Sequence, residues 1–233
     1  TDQIATLSTT QIQNVSTAGF AVMNTAQVAA IETSDIAVLK TSQVAALTTA
    51  NMAALTTDQI AALTTAQVKV ISTAAIQVMD TAQIAAIETS DVAVLSTRQV
   101  SALTTAGVAA LTTDQTAALT TAGVAVFNTA QVAVLTTDQV AILSTTQIRA
   151  LSTTGMAVLD TAQVAAIETT DIAVLSTAQV AAINTAGVEA LTTDQVSQLT
   201  TSGVAALKTT QVSVLTTDQI ATLSTTQIQN VST

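Results

Sequence analysis

The sequence contains no cysteine, proline, histidine, tryptophan or tyrosine, and two phenylalanines are its only aromatic residues. The absence of cysteine excludes a disulfide scaffold but leaves the redox compartment open. Without histidine and cysteine, most nucleophilic and metal-assisted chemistry lacks its usual side chains. No serine or threonine has a plausible base beside it in the sequence. We therefore expect a protein that is not an enzyme, with no catalytic residue and no cofactor.

Positive charge is also scarce, with five Lys and Arg against 15 Asp and Glu, a formal net charge of −10 and a pI near 4.1. Because no basic patch can form, we expect no binding to nucleic acid or to an anionic membrane surface. No window approaches the roughly 18 apolar residues of a membrane span. The first residues also lack the basic start and apolar stretch of a signal peptide. We therefore expect no membrane insertion, and any targeting signal would lie outside the given chain.

An eight-residue sequence repeat extends over the whole chain, as in LTTDQIAALTTAQV at residues 55–68. Numbered from its large apolar residue, the octad has the consensus L-[ST]-T-x-Q-[VI]-A-[AV]. Position 1 is apolar in every copy, and position 6 is apolar in every copy except Thr116. Position 3 is threonine in every copy from Thr1 to Thr233, and position 5 is usually Gln, sometimes Asp, and holds all six glycines. Each unit therefore needs two apolar anchors and one threonine.

The spacing within the octad predicts a short helix. The two anchors lie at i and i+3 around alanine, which suits one face of a helix. A Ser or Thr with Gln three residues later, as in Thr56 and Gln59, has the form of a capping box. We expect the invariant threonine to cap its own helix or the carbonyls of the preceding one. The alternative is a β-solenoid, which Thr and Val would tolerate, although the anchors do not alternate as strand residues do.

A single octad buries too little apolar surface to offset the entropy of ordering it, so neighbouring octads must stack into a solenoid. Distinctive acidic octads recur at spacings of three, seven and ten octads. Such spacings predict a superhelix of about 27 residues per turn, by analogy with the residues that share one face of a helix. The predicted fold class is therefore all-α, a superhelical rod with one short helix per octad and residues 1–233 in a single continuous solenoid.

A longer period lies over the short one, because residues 1–17 recur unchanged as residues 217–233, giving a 216-residue super-repeat. On a wheel of about 27 residues per turn, the acidic residues other than Glu189 gather in one stripe. The opposite side carries the five basic residues Lys40, Lys69, Arg98, Arg149 and Lys208. Neither end has a polar capping unit. We therefore expect the chain to continue beyond its ends or to self-associate, end to end or laterally.

Carboxylates are the only reactive groups that the sequence offers. The densest clusters are the three octads that read IET[ST]D, which carry Glu32 and Asp35, Glu88 and Asp91, and Glu168 and Asp171. We interpret these residues as a solvated acidic face, with loosely bound cations as the alternative. Neither an EF-hand loop nor the glycine-rich calcium nonapeptide occurs. The sequence therefore predicts no metal site beyond these weak cation candidates.

The phrase TTxQ[VI]xxL resembles octapeptide arrays of very large repetitive bacterial proteins of the adhesin-like kind. The resemblance covers the whole chain and implies an extended protein that is extracellular or at the cell surface, with no site residues. We therefore expect a structural repeat protein, an elongated spacer or stalk within a giant extracellular surface or adhesin-like protein. The alternatives are a subunit of a self-associating extracellular filament or sheath, and a cation-binding repeat module for calcium.

Overall fold

The computed structural model describes residues 2–231, without the side chain of Asp2, so the expectations for Thr1 and Thr233 lie outside the described residues. Across that range the secondary structure consists of 29 helices of four to six residues and contains no strand. One helix falls in each octad. The predicted all-α class is therefore confirmed, and the β-solenoid alternative is wrong.

The chain divides into two compact units, Thr1–Gly123 and Val124–Thr233. The helices of the first unit are α1 (Asp2–Ala5), α2 (Thr9–Gln13), α3 (Thr17–Val22), α4 (Thr25–Ala29), α5 (Thr33–Val38), α6 (Thr41–Val44), α7 (Thr49–Ala54), α8 (Thr57–Ala61), α9 (Thr65–Val68), α10 (Thr73–Val78), α11 (Thr81–Ala85), α12 (Thr89–Val92), α13 (Thr97–Ala102), α14 (Thr105–Ala110) and α15 (Thr113–Ala118). The boundary between the units falls within α16 (Thr121–Ala125). The helices of the second unit are α17 (Thr129–Ala133), α18 (Thr137–Ile142), α19 (Thr145–Ala150), α20 (Thr153–Val158), α21 (Thr161–Ala165), α22 (Thr169–Ile172), α23 (Thr177–Ala182), α24 (Thr185–Ala190), α25 (Thr193–Gln198), α26 (Thr201–Ala205), α27 (Thr209–Val212), α28 (Thr217–Thr222) and α29 (Thr225–Ile228).

Most of the described helices begin with a cap from position 2 of the octad. In α8, Thr56 has an extended backbone and its hydroxyl accepts a hydrogen bond from the Gln59 N–H at 3.2 Å. The Gln59 side chain in turn accepts from the Thr56 N–H at 2.9 Å. This reciprocal pair confirms the predicted capping box.

The invariant threonine at position 3 does not act as expected. It is the first helical residue, as in Thr57 of α8, and it is exposed there. The expectation that it caps a helix is therefore wrong. The physical reason is that a cap needs the extended backbone of position 2, from which a side chain can turn back to the third helical N–H.

Each helix ends within about two turns because the backbone returns to an extended conformation at the large apolar residue. Leu55, which follows α7, has φ −62° and ψ 137°, and its N–H donates to the Met52 carbonyl. The next residue, Thr56, is extended as well and caps the following helix. Two extended residues therefore separate α7 from α8, and among the described residues no positive φ is needed for the reversal.

Within each unit, a helix packs against the helix three places along the chain. In the first unit α4 packs on α7, α7 on α10 and α10 on α13, and in the second unit α17 packs on α20 and α20 on α23. Positions 1 and 6 form the core between these layers, with Val108 0% and Leu111 4% exposed. Side-chain hydrogen bonds reach one octad further back, as from Gln43 in α6 to Ile12 in α2. A turn therefore holds between three and four octads, which agrees with the predicted 27 or so residues.

Glycine at position 5 serves close packing at some sites and not at others. A Cβ atom built on Gly187 would lie 2.9 Å from Cγ2 of Ile183 and 3.0 Å from Cγ2 of Val164. A Cβ atom on Gly107 would have the Thr104 hydroxyl at 3.3 Å as its nearest neighbour. Ala75 occupies the equivalent position in α10 and is capped in the same way. The two glycines therefore differ in how much room surrounds them.

We expect Gly187→Ala and Gly107→Ala to have opposite effects on stability. The added methyl group at Gly187 meets two branched side chains, so we expect the free energy of unfolding to fall by about 1–3 kcal/mol. At Gly107, alanine fits and favours the helix, so we expect a gain of up to about 1 kcal/mol. Urea denaturation followed by circular dichroism measures both, and equal effects would contradict the packing argument.

Candidate functional site

A row of buried amides links successive turns of the solenoid. Gln59 at position 5 of its octad is 2% exposed. Its Nε2 donates to the carbonyl of Val28 at 3.0 Å and to that of Ile31 at 2.7 Å. Its Oε1 accepts from the N–H of its own cap residue, Thr56. One side chain therefore completes a cap and satisfies two carbonyls at the end of the helix four octads earlier.

We call this arrangement the glutamine ladder. Its members donate from Nε2 to carbonyls 28 residues earlier and also to carbonyls 30 or 31 residues earlier. In the first unit they are Gln43, Gln59, Gln67, Gln83, Gln99 and Gln115. In the second unit they are Gln163, Gln179, Gln195, Gln211, Gln219 and Gln227.

Sequence reasoning assigned this glutamine only to the capping box and missed its second role. The signal was present in the composition of position 5, which accepts Gln, Asn, Asp, Gly or Ala but no Lys, Arg or Glu. That restriction is typical of a buried position with a defined hydrogen-bonding task. The position carries a repeated set of hydrogen bonds between turns, so it is the feature on which a site can be built.

Of the six candidate cation ligands, the three aspartates occupy this same ladder position. Asp35 is 3% exposed, and Asp91 and Asp171 are 2% exposed. The interpretation of these residues as part of a solvated face is therefore wrong for the three aspartates. Their position in the octad, rather than their charge, decides where they lie, because position 5 of every interior octad points between two turns.

The three glutamates among the candidate cation ligands do not lie at the ladder position. Glu32, Glu88 and Glu168 occupy the cap position, are exposed, and make no side-chain cap hydrogen bond. The third helical N–H donates instead to the carbonyl of the glutamate itself, as from Asp171 to Glu168 at 2.9 Å. These octads therefore lack both halves of the capping box.

Burial shifts the ionisation of the three aspartates. Burial, and secondarily the negative charge of Glu168, raises the pKa of Asp171 to about 6 from an ordinary value of 3.8. Burial and Glu88 also raise the pKa of Asp91, and burial and Glu32 raise that of Asp35. In each case desolvation is the larger cause, since a buried carboxylate loses its hydration. At a given pH, each of these aspartates is therefore protonated to a greater extent than an exposed aspartate.

A further aspartate follows the glutamate of each of these octads by 26 residues. The pairs are Glu32 with Asp58, Glu88 with Asp114, and Glu168 with Asp194. At the third pair, Glu168 and Asp194 line one open cavity of about 350 Å³, together with Thr169 and Thr192. The solenoid therefore brings carboxylates of adjacent turns to a shared, water-accessible depression.

The arrangement does not assemble a recognised metal centre. Among residues 2–231, no three His, Cys, Asp or Glu side chains are grouped as they would have to be to hold a metal ion. Across the same part of the chain, no helix has the length and apolar character needed to cross a lipid bilayer. The prediction of loosely bound cations at the six candidate residues stays a prediction.

The fold and the ladder define the class of this protein, an all-helical repeat protein in which eight-residue units stack as a solenoid. A family model described as the ALTTAQ repeat matches residues 28–65, 84–121, 117–145, 164–201 and 203–233, which together make up more than half of the chain. The chain belongs to the ALTTAQ repeat family. A comparison with curated proteins found no match.

Proposed function

We propose that this chain is a spacer or stalk segment of a large extracellular surface protein of the adhesin-like kind. The observation that carries the proposal is the pattern of contacts within each unit. Helices pack on helices three places away, and ladder hydrogen bonds reach back 28 to 31 residues. Because each octad engages only near neighbours, additional octads lengthen such an array and leave its width unchanged. Spacing is the function that such an array performs without any ligand.

Small-angle X-ray scattering tests the spacer role directly. We expect a chain with the 216-residue super-repeat doubled to have the same cross-sectional radius as the chain of residues 1–233 and a maximum dimension about twice as large. A cross-section that grows with octad number would mean that remote octads meet, and it would exclude a spacer. Labelling of intact source cells with an antibody against the repeat tests the proposed surface location, which intracellular labelling alone would exclude.

The filament alternative predicts attraction between the acidic stripe of one molecule and the basic side of another. Such pairing weakens as salt shortens the distance over which charges interact, from about 30 Å at 0.01 M to about 8 Å at 0.15 M. For a spacer with non-adhesive sides, we expect the sedimentation coefficient to stay constant over this range. Larger species at low salt that dissociate as salt is added would favour the filament instead.

A further inference from the structure

Three octads carry an acid at the ladder position, where most octads carry an amide and the rest carry glycine or alanine. Asp35, Asp91 and Asp171 take the ladder position and are at least nine-tenths buried. A carboxylate can only accept, whereas the ladder position requires a donor. The charged form therefore does not match its surroundings.

Asn51 shows what a side chain of this length does at the same position. It is 2% exposed, and its Nδ2 donates to the carbonyl of Met23, 28 residues earlier, at 3.1 Å. Asparagine and protonated aspartic acid have nearly the same shape, and both carry a donor at the end of the side chain. The carbonyl at the equivalent distance from Asp171 belongs to Leu143, and that from Asp91 belongs to Leu63.

We propose that Asp35, Asp91 and Asp171 are proton-operated joints between turns of the solenoid. When the carboxylic acid is protonated, its O–H donates to the carbonyl 28 residues earlier, as the amide of Asn51 does, and the ladder is closed at that turn. When it is ionised, the donor is lost and a negative charge lies at a largely buried position. The octad then contributes only apolar packing from its ladder position, while the glutamines of neighbouring octads still join the turns, as Gln43 does next to Asp35.

In all three copies, the charges on the neighbouring helices also oppose ionisation of the aspartate. The cap residue of the same octad is a glutamate each time, and the helix three places later carries Asp58, Asp114 or Asp194. On the helix three places earlier, α2 carries no charge, α9 is followed by Lys69, and α19 carries Arg149, both of which are exposed. Acidic groups therefore outnumber basic ones around every joint, which opposes ionisation.

The direction of the pH dependence follows from the raised pKa values. The folded state holds the proton at Asp171 up to a pKa of about 6, whereas the unfolded chain releases it near 3.8. The stability that the proton contributes is therefore complete below the unfolded value and is lost as pH rises through the folded value. The same sign holds for Asp35 and Asp91, whose pKa values are also raised.

The test compares melting temperatures of three full-length chains between about pH 5 and about pH 8. For the wild-type chain we expect the melting temperature to fall with rising pH. The triple variant Asp35→Asn, Asp91→Asn, Asp171→Asn carries a permanent donor at each joint. We expect it to melt higher than the wild type at the upper pH, by about 2–4 °C for each joint, and to lose most of the pH dependence.

The control removes the same number of negative charges from exposed positions of the paired octads, as Asp58→Asn, Asp114→Asn, Asp194→Asn. We expect this variant to keep a fall in melting temperature with rising pH, with the midpoint at somewhat lower pH, because the loss of a neighbouring negative charge makes ionisation of the joint easier. An equal flattening in both triple variants would overturn the proposal, because general charge repulsion would then be the cause. Carboxyl carbon NMR of the wild type gives a second readout, and ordinary aspartate midpoints at all three joints would also overturn it.

A further measurement, with calcium added, distinguishes a proton from a metal ion at the joints. We expect calcium at about pH 8 to leave the melting temperature of the wild-type chain unchanged. A rise with calcium that disappears in the triple variant at Asp35, Asp91 and Asp171 would mean that the carboxylates serve as cation ligands. That result would replace the proton-operated joint with a cation-operated one.

Discussion

Replacing Gln115 with leucine is expected to lower the free energy of unfolding by about 2–4 kcal/mol. The amide is 2% exposed and donates to the carbonyls of Ile84 at 3.0 Å and Ile87 at 2.6 Å. It also accepts from the N–H of Thr112 at 2.9 Å. Leucine fills a similar volume but leaves all three backbone groups without this partner. The loss of buried hydrogen bonds outweighs the added apolar surface because an unsatisfied buried group costs its full desolvation penalty.

Two further variants make this experiment specific to the ladder. Gln115→Asn is expected to lose about half as much as leucine, because Asn51 keeps the bond to the carbonyl 28 residues earlier. Gln77→Leu replaces an exposed glutamine and is expected to change stability by no more than about 0.5 kcal/mol. Guanidinium denaturation gives the midpoints. If Gln115→Leu matches Gln77→Leu, the ladder contributes nothing to the joining of turns.

Replacing Ile148 with alanine is expected to cost about 3–4 kcal/mol, the typical loss for removing a large aliphatic side chain from a packed core. Ile148 is 0% exposed and lies at position 6 of its octad. The loss combines the apolar surface no longer buried with the cavity left between two turns. Hydrogen exchange of the amides in α19 and α22, which pack on each other, measures the effect locally.

The matched control has the same local sequence. Ile228 follows the same four residues, Ser-Thr-Thr-Gln, and occupies the same octad position, but it is 44% exposed. We expect Ile228→Ala to cost about 1 kcal/mol or less, because little surface is removed from water there. Because the helix propensities at the two sites are alike, a difference in cost measures packing between turns. Equal costs would show that isoleucine acts through local helix formation.

Much of the helical architecture could be predicted from the octad alone. The capping box of Thr56 and Gln59 joins residues three apart, and the anchors at positions 1 and 6 mark one face of a short helix. Such interactions are local, so they can be read from one copy of the repeat. The recurrence of acidic octads supplied the size of the turn, since residues that share one face of a superhelix return at regular intervals.

Two of the errors share one physical cause, which is that they concern contacts between turns. The second role of Gln59 joins it to Ile31, 28 residues earlier, and nothing within the octad indicates that partner. Asp35 was interpreted as solvated because aspartate is seldom buried without a partner, yet the ladder position encloses it. The third error is local, because the invariant threonine was given a capping role that the side chain of position 2 already performs.

The sequence by itself determined where each helix starts and stops, because caps and extended residues act within a few positions. Only the tertiary structure decided which side chains are enclosed. The segment Ser-Thr-Thr-Gln-Ile occurs at residues 8–12, 144–148 and 224–228 and forms a capped helix each time. Its isoleucine is 0% exposed at Ile12 and Ile148 but 44% exposed at Ile228. The reason is that later octads cover the first two, whereas no later described octad packs on the third.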